Sequence, residues 1–115
     1  MVKFEVSAIE PAQIDYGNGR VYPAIFDMRA MAHVEKAVGT GHIAFAQKLV
    51  DNTYTLEELA ALAAAMHRSA GVDVTDEQVL QAMNFHNYPQ IGAQLVEAMI
   101  GNLPEGDGKQ KNAKA

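Results

Sequence analysis

The chain has no cysteine among its 115 residues. That absence excludes a disulfide framework, a thiol nucleophile and a cysteine zinc site. No apolar run approaches the roughly 20 residues needed to cross a bilayer, so no membrane partner is expected. Net positive charge is also missing. The formal charge is −5, with Lys109, Lys111 and Lys114 gathered in the last few residues, so the part before them is more acidic than the total implies. An acidic balance repels phosphate backbones and argues against nucleic acid as a partner. Met1-Val2-Lys3-Phe4-Glu5 does not read as a secretory leader, because an acidic residue interrupts it and no apolar stretch follows. No nucleophile elbow, phosphate loop or dinucleotide fingerprint is present. Gly17-Asn18-Gly19 and Gly39-Thr40-Gly41 are too short and lack the flanking pattern. There is no internal repeat.

What is there is punctuation. Thr55-Leu56-Glu57-Glu58, Thr75-Asp76-Glu77-Gln78 and Asn87-Tyr88-Pro89-Gln90 each place a short oxygen-bearing side chain three residues before a Glu or Gln. The first side chain can accept from the backbone N–H of the third residue, whose own side chain can reach back. These signals predict three helix starts. Ahead of Asp27 the pattern is different. Val2, Phe4, Val6 and Ala8 alternate with polar residues, which predicts a half-buried strand over residues 2–8. Residues 13–16 then lead through Gly17-Asn18-Gly19 into residues 20–26, a hairpin signal, because Asn-Gly tolerates positive φ. Pro23 cannot donate to a ladder and marks an edge or an end.

Five helices follow. The first is expected from Asp27 to about Val38, with Met28, Met31, Val34 and Val38 inward and Gly39-Thr40-Gly41 ending it. The second covers about 42–50, with Ile43, Ala46, Leu49 and Val50 inward. The third, capped by Thr55 and closed by Gly71, buries Leu59, Leu62, Ala63, Met66 and Ala70. Its run of alanines favours helix and allows close approach. The fourth spans about 76–85, with Val79, Leu80 and Met83 inward. The fifth begins near Pro89 and carries Ile91, Leu95, Ala98 and Met99 to Gly101. The expected fold is α+β, mostly α: an N-terminal β-hairpin or small antiparallel sheet, then about five short helices. One globular domain is expected over 1–103, and a disordered tail over 104–115, which lacks apolar content.

The chemistry-bearing residues read as structural. His33, His42, His67 and His86 have no short-spacing partners and read as surface or helix-edge histidines, so no metal site is expected. Glu57, Glu58, Asp76 and Glu77 lie in helix first turns, where capping and the helix dipole account for them. No cofactor and no catalytic residue is expected. Most of the methionines read as core packing, although adaptable sulfur side chains also suit partner surfaces. The helices at 55–70 and 76–85 have the spacing of a helix-turn-helix, but the second holds no Lys or Arg to approach phosphate.

The stretch from Arg20 through Phe26-Asp27-Met28 to Val38-Gly39 resembles a known family. So do Tyr54-Thr55-Leu56-Glu57-Glu58-Leu59-Ala60-Ala61-Leu62 through Gly71, and Thr75-Asp76-Glu77-Gln78-Val79. Together, over roughly Gly17 to Met99, they resemble the small tail assembly chaperones of long-tailed phages and their relatives in gene transfer agent clusters. The resemblance implies a non-enzymatic protein in the cytoplasm of a bacterial host. It implies that tape measure protein and tail tube protein are bound during assembly. It also implies a form made in two lengths by frameshifting and absent from the finished virion. It carries over no catalytic motif.

Such a role needs uncovered apolar surface. Phe85, Tyr88, Met99 and Ile100 are the residues expected to provide it. Phe85 and Ile100 fall off their helices' main stripes, which points them outward; packing on another part of the core, or against a second copy as a homo-oligomer, is an equal use for them. Two other readings stay open: a small virion or head–tail connector subunit that adds strands at its hairpin edge, and, more weakly, a DNA-binding regulatory module.

Overall fold

The computed structural model describes residues 9–101. The strand expected over 2–8 and the tail expected over 104–115 lie outside these residues. The architecture is α+β, mostly α. Strands β1 (Ala12–Asp15) and β2 (Val21–Ala24) form a two-stranded antiparallel sheet. Helices α1 (Met28–Val38), α2 (His42–Asp51), α3 (Leu56–Ser69), α4 (Asp76–Ala82) and α5 (Tyr88–Gly101) follow.

The hairpin turns where expected. Gly17, Asn18 and Gly19 all hold positive φ, a region open to glycine and tolerated by asparagine. Pro23 lies opposite Gln13. Asp15, two residues on from Gln13, sends both its N–H and its C=O outward to the Gln94 side chain, at 2.8 and 2.9 Å. Antiparallel ladders alternate, so Gln13 and Pro23 are also an outward-facing pair, and the missing N–H of Pro23 removes no ladder bond. The Gln94 bonds tie β1 to α5.

Helix α3 is the centre. Every residue from Leu59 to Met66 is buried, and His67 as well. Helices α1 and α4 and strand β2 pack around it, and the alanines at 60, 61 and 63–65 let them come close. The core runs from Ile14 and Tyr16 through Val34, Phe45, Leu62 and Met66 to Ile91 and Leu95. Thr55–Glu58 and Thr75–Gln78 both close reciprocal capping boxes. Asp27 caps α1 by accepting from the Ala30 N–H, and it also accepts from the Ser69 hydroxyl at the end of α3. Burial works against the charged form of Asp27, but the Ala30 N–H, the Ser69 hydroxyl and Arg29 outweigh it and hold the carboxyl below its ordinary range.

The predicted α2 stripe was misplaced; the α1 stripe held at Met31, Val34 and Val38, which pack on the core, and failed at Met28. On α2, Phe45 and Leu49 are the buried pair, while Ile43 is 76% exposed and Val50 is also exposed. Aromatic Phe45 fills the larger gap, and the helix rotates to seat it. On α1, Ala30 and Val34 face the core and Met28 is exposed, because small Ala30 fits the close approach to the alanine face of α3. Helix α4 is shorter than predicted and ends at Ala82, with Met83 extended. Two substitutions test this map. Ala64→Leu overpacks the fully buried face of α3 and should cost about 1–3 kcal/mol in urea unfolding. Ile43→Ala should shift stability by less than about 0.5 kcal/mol; a large loss at Ile43 would contradict the observed seating of α2.

Candidate interaction surface

The break between α4 and α5 builds the most distinctive feature on the molecule. The side-chain Oδ1 of Asn84 accepts from the backbone N–H groups of His86 and Asn87, both at 2.8 Å. In return the side-chain Oδ1 of Asn87 accepts from the Asn84 backbone N–H at 2.7 Å. This is a reciprocal capping box made by two asparagines. Asn87 was predicted to be the cap itself, with Gln90 reaching back. The start signal lies one turn earlier, at Asn84. Pro89, with no N–H, cannot supply one of the donors a cap at Asn87 would use. The Asn87 side-chain amide also donates to the carbonyls of Tyr16 and Ala82, both at 3.2 Å. The turn is therefore fixed to the hairpin and to α4 at once.

That fixed turn displays Phe85, which is 86% exposed. Beside it lies a shallow apolar groove of about 120 Å³ lined by Leu56, Leu80, Met83, Asn84, Phe85 and Tyr88. Leu56 is itself exposed at the first position of α3. A fully exposed phenylalanine on a mobile loop would collapse onto the nearest apolar surface. Here the asparagine box holds the backbone so that the ring stands out. Of the four residues expected to form a gripping surface, the groove brings Phe85 and Tyr88 together. Ile100 is exposed on the last turn of α5, thirteen residues from the Asn87 junction. Met99 belongs to the core at 8% exposure, because it continues the Ile91–Leu95 stripe, and it offers no open surface.

On the hairpin side of α3 a second cleft, of about 280 Å³, contains Tyr16, Tyr22 and His67. His67 was predicted at the surface or a helix edge. It is buried at 2% exposure, and both ring nitrogens are engaged. Nδ1 is 2.7 Å from the Pro23 carbonyl oxygen, which can only accept, so Nδ1 carries the proton. Nε2 then accepts from the Tyr16 hydroxyl at 2.7 Å. The two tyrosine rings and the imidazole pack at centroid distances of 5.5–5.9 Å. Burial lowers the affinity of His67 for a proton, partly offset by the Pro23 carbonyl. Burial, with Tyr22 adding to it and Arg20 opposing it, raises Tyr16 well above its ordinary range. The pair is neutral and committed to itself, which leaves no free nitrogen for a ligand. With alanines on every side of α3 between Leu59 and Met66, no polar face remained for position 67, and that was the available clue.

Two of the remaining histidines, His33 and His42, have side-chain partners too. His33 accepts from Arg68 at 2.9 Å, and Arg68 also donates to Asp76 and to the Val74 carbonyl. His42 lies 2.9 Å from Glu35, whose carboxyl that contact holds below its ordinary range. Among the described residues no three His, Asp or Glu side chains converge on one point, and no helix is long and apolar enough to cross a membrane. No protein-family model, curated protein or solved structure matches this chain.

Two outcomes follow from this geometry. Asn84→Ala removes the cap and should cost about 1 kcal/mol of stability. His67→Phe leaves the Pro23 carbonyl and the Tyr16 hydroxyl without their partner and should cost about 2–4 kcal/mol. The pH dependence has a definite sign. The folded state binds a proton at His67 less readily than the unfolded chain, whose histidine titrates near 6.5. Stability from this group is therefore full above that value and is lost as the pH falls below it. Urea titrations at several pH values should show that loss in the native sequence and a shallower one in His67→Phe; parallel curves would contradict the neutral assignment.

Proposed function

We propose that this chain is a non-enzymatic tail assembly chaperone of a long-tailed phage or prophage. It binds tape measure protein, tail tube protein or both in the bacterial cytoplasm while the tail is built. The observation that carries the reading is Phe85, held open on its asparagine-boxed turn beside the Leu56–Leu80–Met83–Tyr88 groove. A large aromatic ring on a fixed backbone loses little entropy on binding and enters a partner's pocket as an anchor. The resemblance of residues 20–39, 54–71 and 75–79 to that family supplies the identity of the partners.

The runner-up is a virion or connector subunit that joins copies through hairpin edges. It is less well supported, because the outer edge of β1 is already bonded to Gln94 at Asp15 and β2 carries Pro23. Mass spectrometry of purified particles separates the two readings: a chaperone is absent from them and a connector is present.

Co-expression with the tape measure and tube proteins tests the proposal directly. One of them should co-purify with the chain. Phe85→Asp should weaken that association by about tenfold or more while leaving the thermal midpoint unchanged, since the ring is 86% exposed. Failure to capture either protein would sink the reading.

A further inference from the structure

The Phe85 groove has a neighbour across Leu80. The same side chain also forms part of a larger groove of about 460 Å³ between α1, α3 and α4. Its apolar lining is Val38 with the small Ala37, Ala60 and Ala61, of which Ala60 and Ala61 are buried. Its rim carries Glu57, Glu58, Asp76 and Glu77, and no Lys, Arg or His lines it. Two of these carboxylates are neutralised within the chain. Lys48 reaches Glu58 at 2.7 Å, and Arg68 reaches Asp76 at 3.3 Å. Glu57 and Glu77 form no ion pair among the described residues; Glu77 only accepts from the Gln81 amide. The two grooves adjoin at Leu80: on one side an apolar trough with an aromatic anchor, on the other a trough backed by alanines and bearing two carboxylates without ion-pair partners among the described residues.

We infer that this surface takes a basic amphipathic helix, its apolar stripe lying across Leu80 beside Phe85 and its lysines or arginines reaching Glu57 and Glu77. The inference rests on the chaperone reading and deepens it by stating the chemistry of the segment bound. Charge excludes the polyanions: a nucleic acid or an anionic bilayer would meet carboxylates of its own sign. Form excludes strand addition, because helices and the 83–87 turn make up this face, and helices offer no row of unpaired backbone groups. A channel between helices backed by alanines accepts the ridge of another helix at close range. The uncompensated glutamates supply steering and register more than raw affinity.

The test uses the full chain and a synthetic peptide of about 20 residues, long enough to hold a helix. The peptide carries a Leu/Ala stripe flanked by lysines and is followed by fluorescence anisotropy. Three controls accompany it: the same peptide with glutamates for lysines, a scrambled peptide of identical composition, and the chain ending at residue 103. The lysine peptide should bind, and its affinity should fall about tenfold as salt rises from about 50 to about 300 mM. The doubly substituted Glu57→Gln/Glu77→Gln chain should bind it about fivefold more weakly, with an unchanged circular dichroism spectrum. Phe85→Asp should also weaken it. Equal binding of the glutamate or scrambled peptide would overturn the inference. So would indifference to Glu57→Gln/Glu77→Gln. Binding that appears only after residues 104–115 are removed would overturn it too, since the lysine-bearing end of this same chain would then be the occupant. A dimer in light scattering that dissociates on adding peptide would assign the groove to a second copy, with the same consequence. Capture of a tape measure protein through a segment without basic residues would defeat this inference and spare the chaperone reading. Peptide binding without capture of tape measure or tube protein would do the reverse.

Discussion

The burial of α3 on all sides governs everything else in this molecule. A helix with alanine at five of the six positions 60, 61, 62, 63, 64 and 65 has little side-chain bulk of its own, so its neighbours must come to it. Helices α1, α4 and α5 and strand β2 do, and their approach fixes where the outer surface lies. The C-terminal end of α3 is then locked to the hairpin by two adjacent residues. The Met66 carbonyl accepts from the Ile25 N–H at 2.9 Å, and His67 bridges the Pro23 carbonyl and the Tyr16 hydroxyl. In a low-dielectric setting such bonds strengthen one another, and leaving either end unmade is expensive. A two-stranded hairpin is marginal alone; here it is held because it completes the polar groups of the helix it covers.

Packing of α5 shows the same economy. Gly92 is buried, and a Cβ there would lie 3.2 Å from the Tyr54 hydroxyl oxygen and 3.8 Å from Leu59. The helix approaches the entry to α3 closely because position 92 has no side chain. With the Gln94 bonds to Asp15, this places the start of α5 between the hairpin and the N-terminal turn of α3. The Phe85 turn and Leu56 meet there as a result. Surface and core have one origin: the contacts that bury α3 and α5 leave Leu80, Met83 and Phe85 with nothing among the described residues to cover them fully.

The sequence made local order legible wherever a side chain acts on its own backbone. Thr55, Thr75, Asp27, Gly39 and the Gly17–Gly19 turn all act within four residues of themselves, and all were readable. What depends on distant partners was not. The rotation of α2 turns on which of Phe45 or Ile43 fills a gap shaped by other elements. The asparagine box is a local exception: Pro89 cannot donate to a cap at Asn87, and the reciprocal bonds begin at Asn84 instead. His67 looked like a surface residue because its partners, Tyr16 and Pro23, lie 51 and 44 positions away. The gripping residues divided in the same way. Phe85 and Tyr88 were legible as an aromatic pair leading into a helix, whereas Met99 stayed with the stripe that its spacing from Ile91 and Leu95 dictates.

The proposed function requires that the uncovered ground around Phe85 hold another polypeptide. Hydrogen exchange read by mass spectrometry, on the full chain alone and with tape measure protein added, addresses it most directly. Slowed exchange should concentrate in the peptides covering residues 54–60 and 80–90, with the hairpin at 12–24 unchanged. Protection centred on the hairpin, or spread evenly with no preference for those two segments, would contradict it.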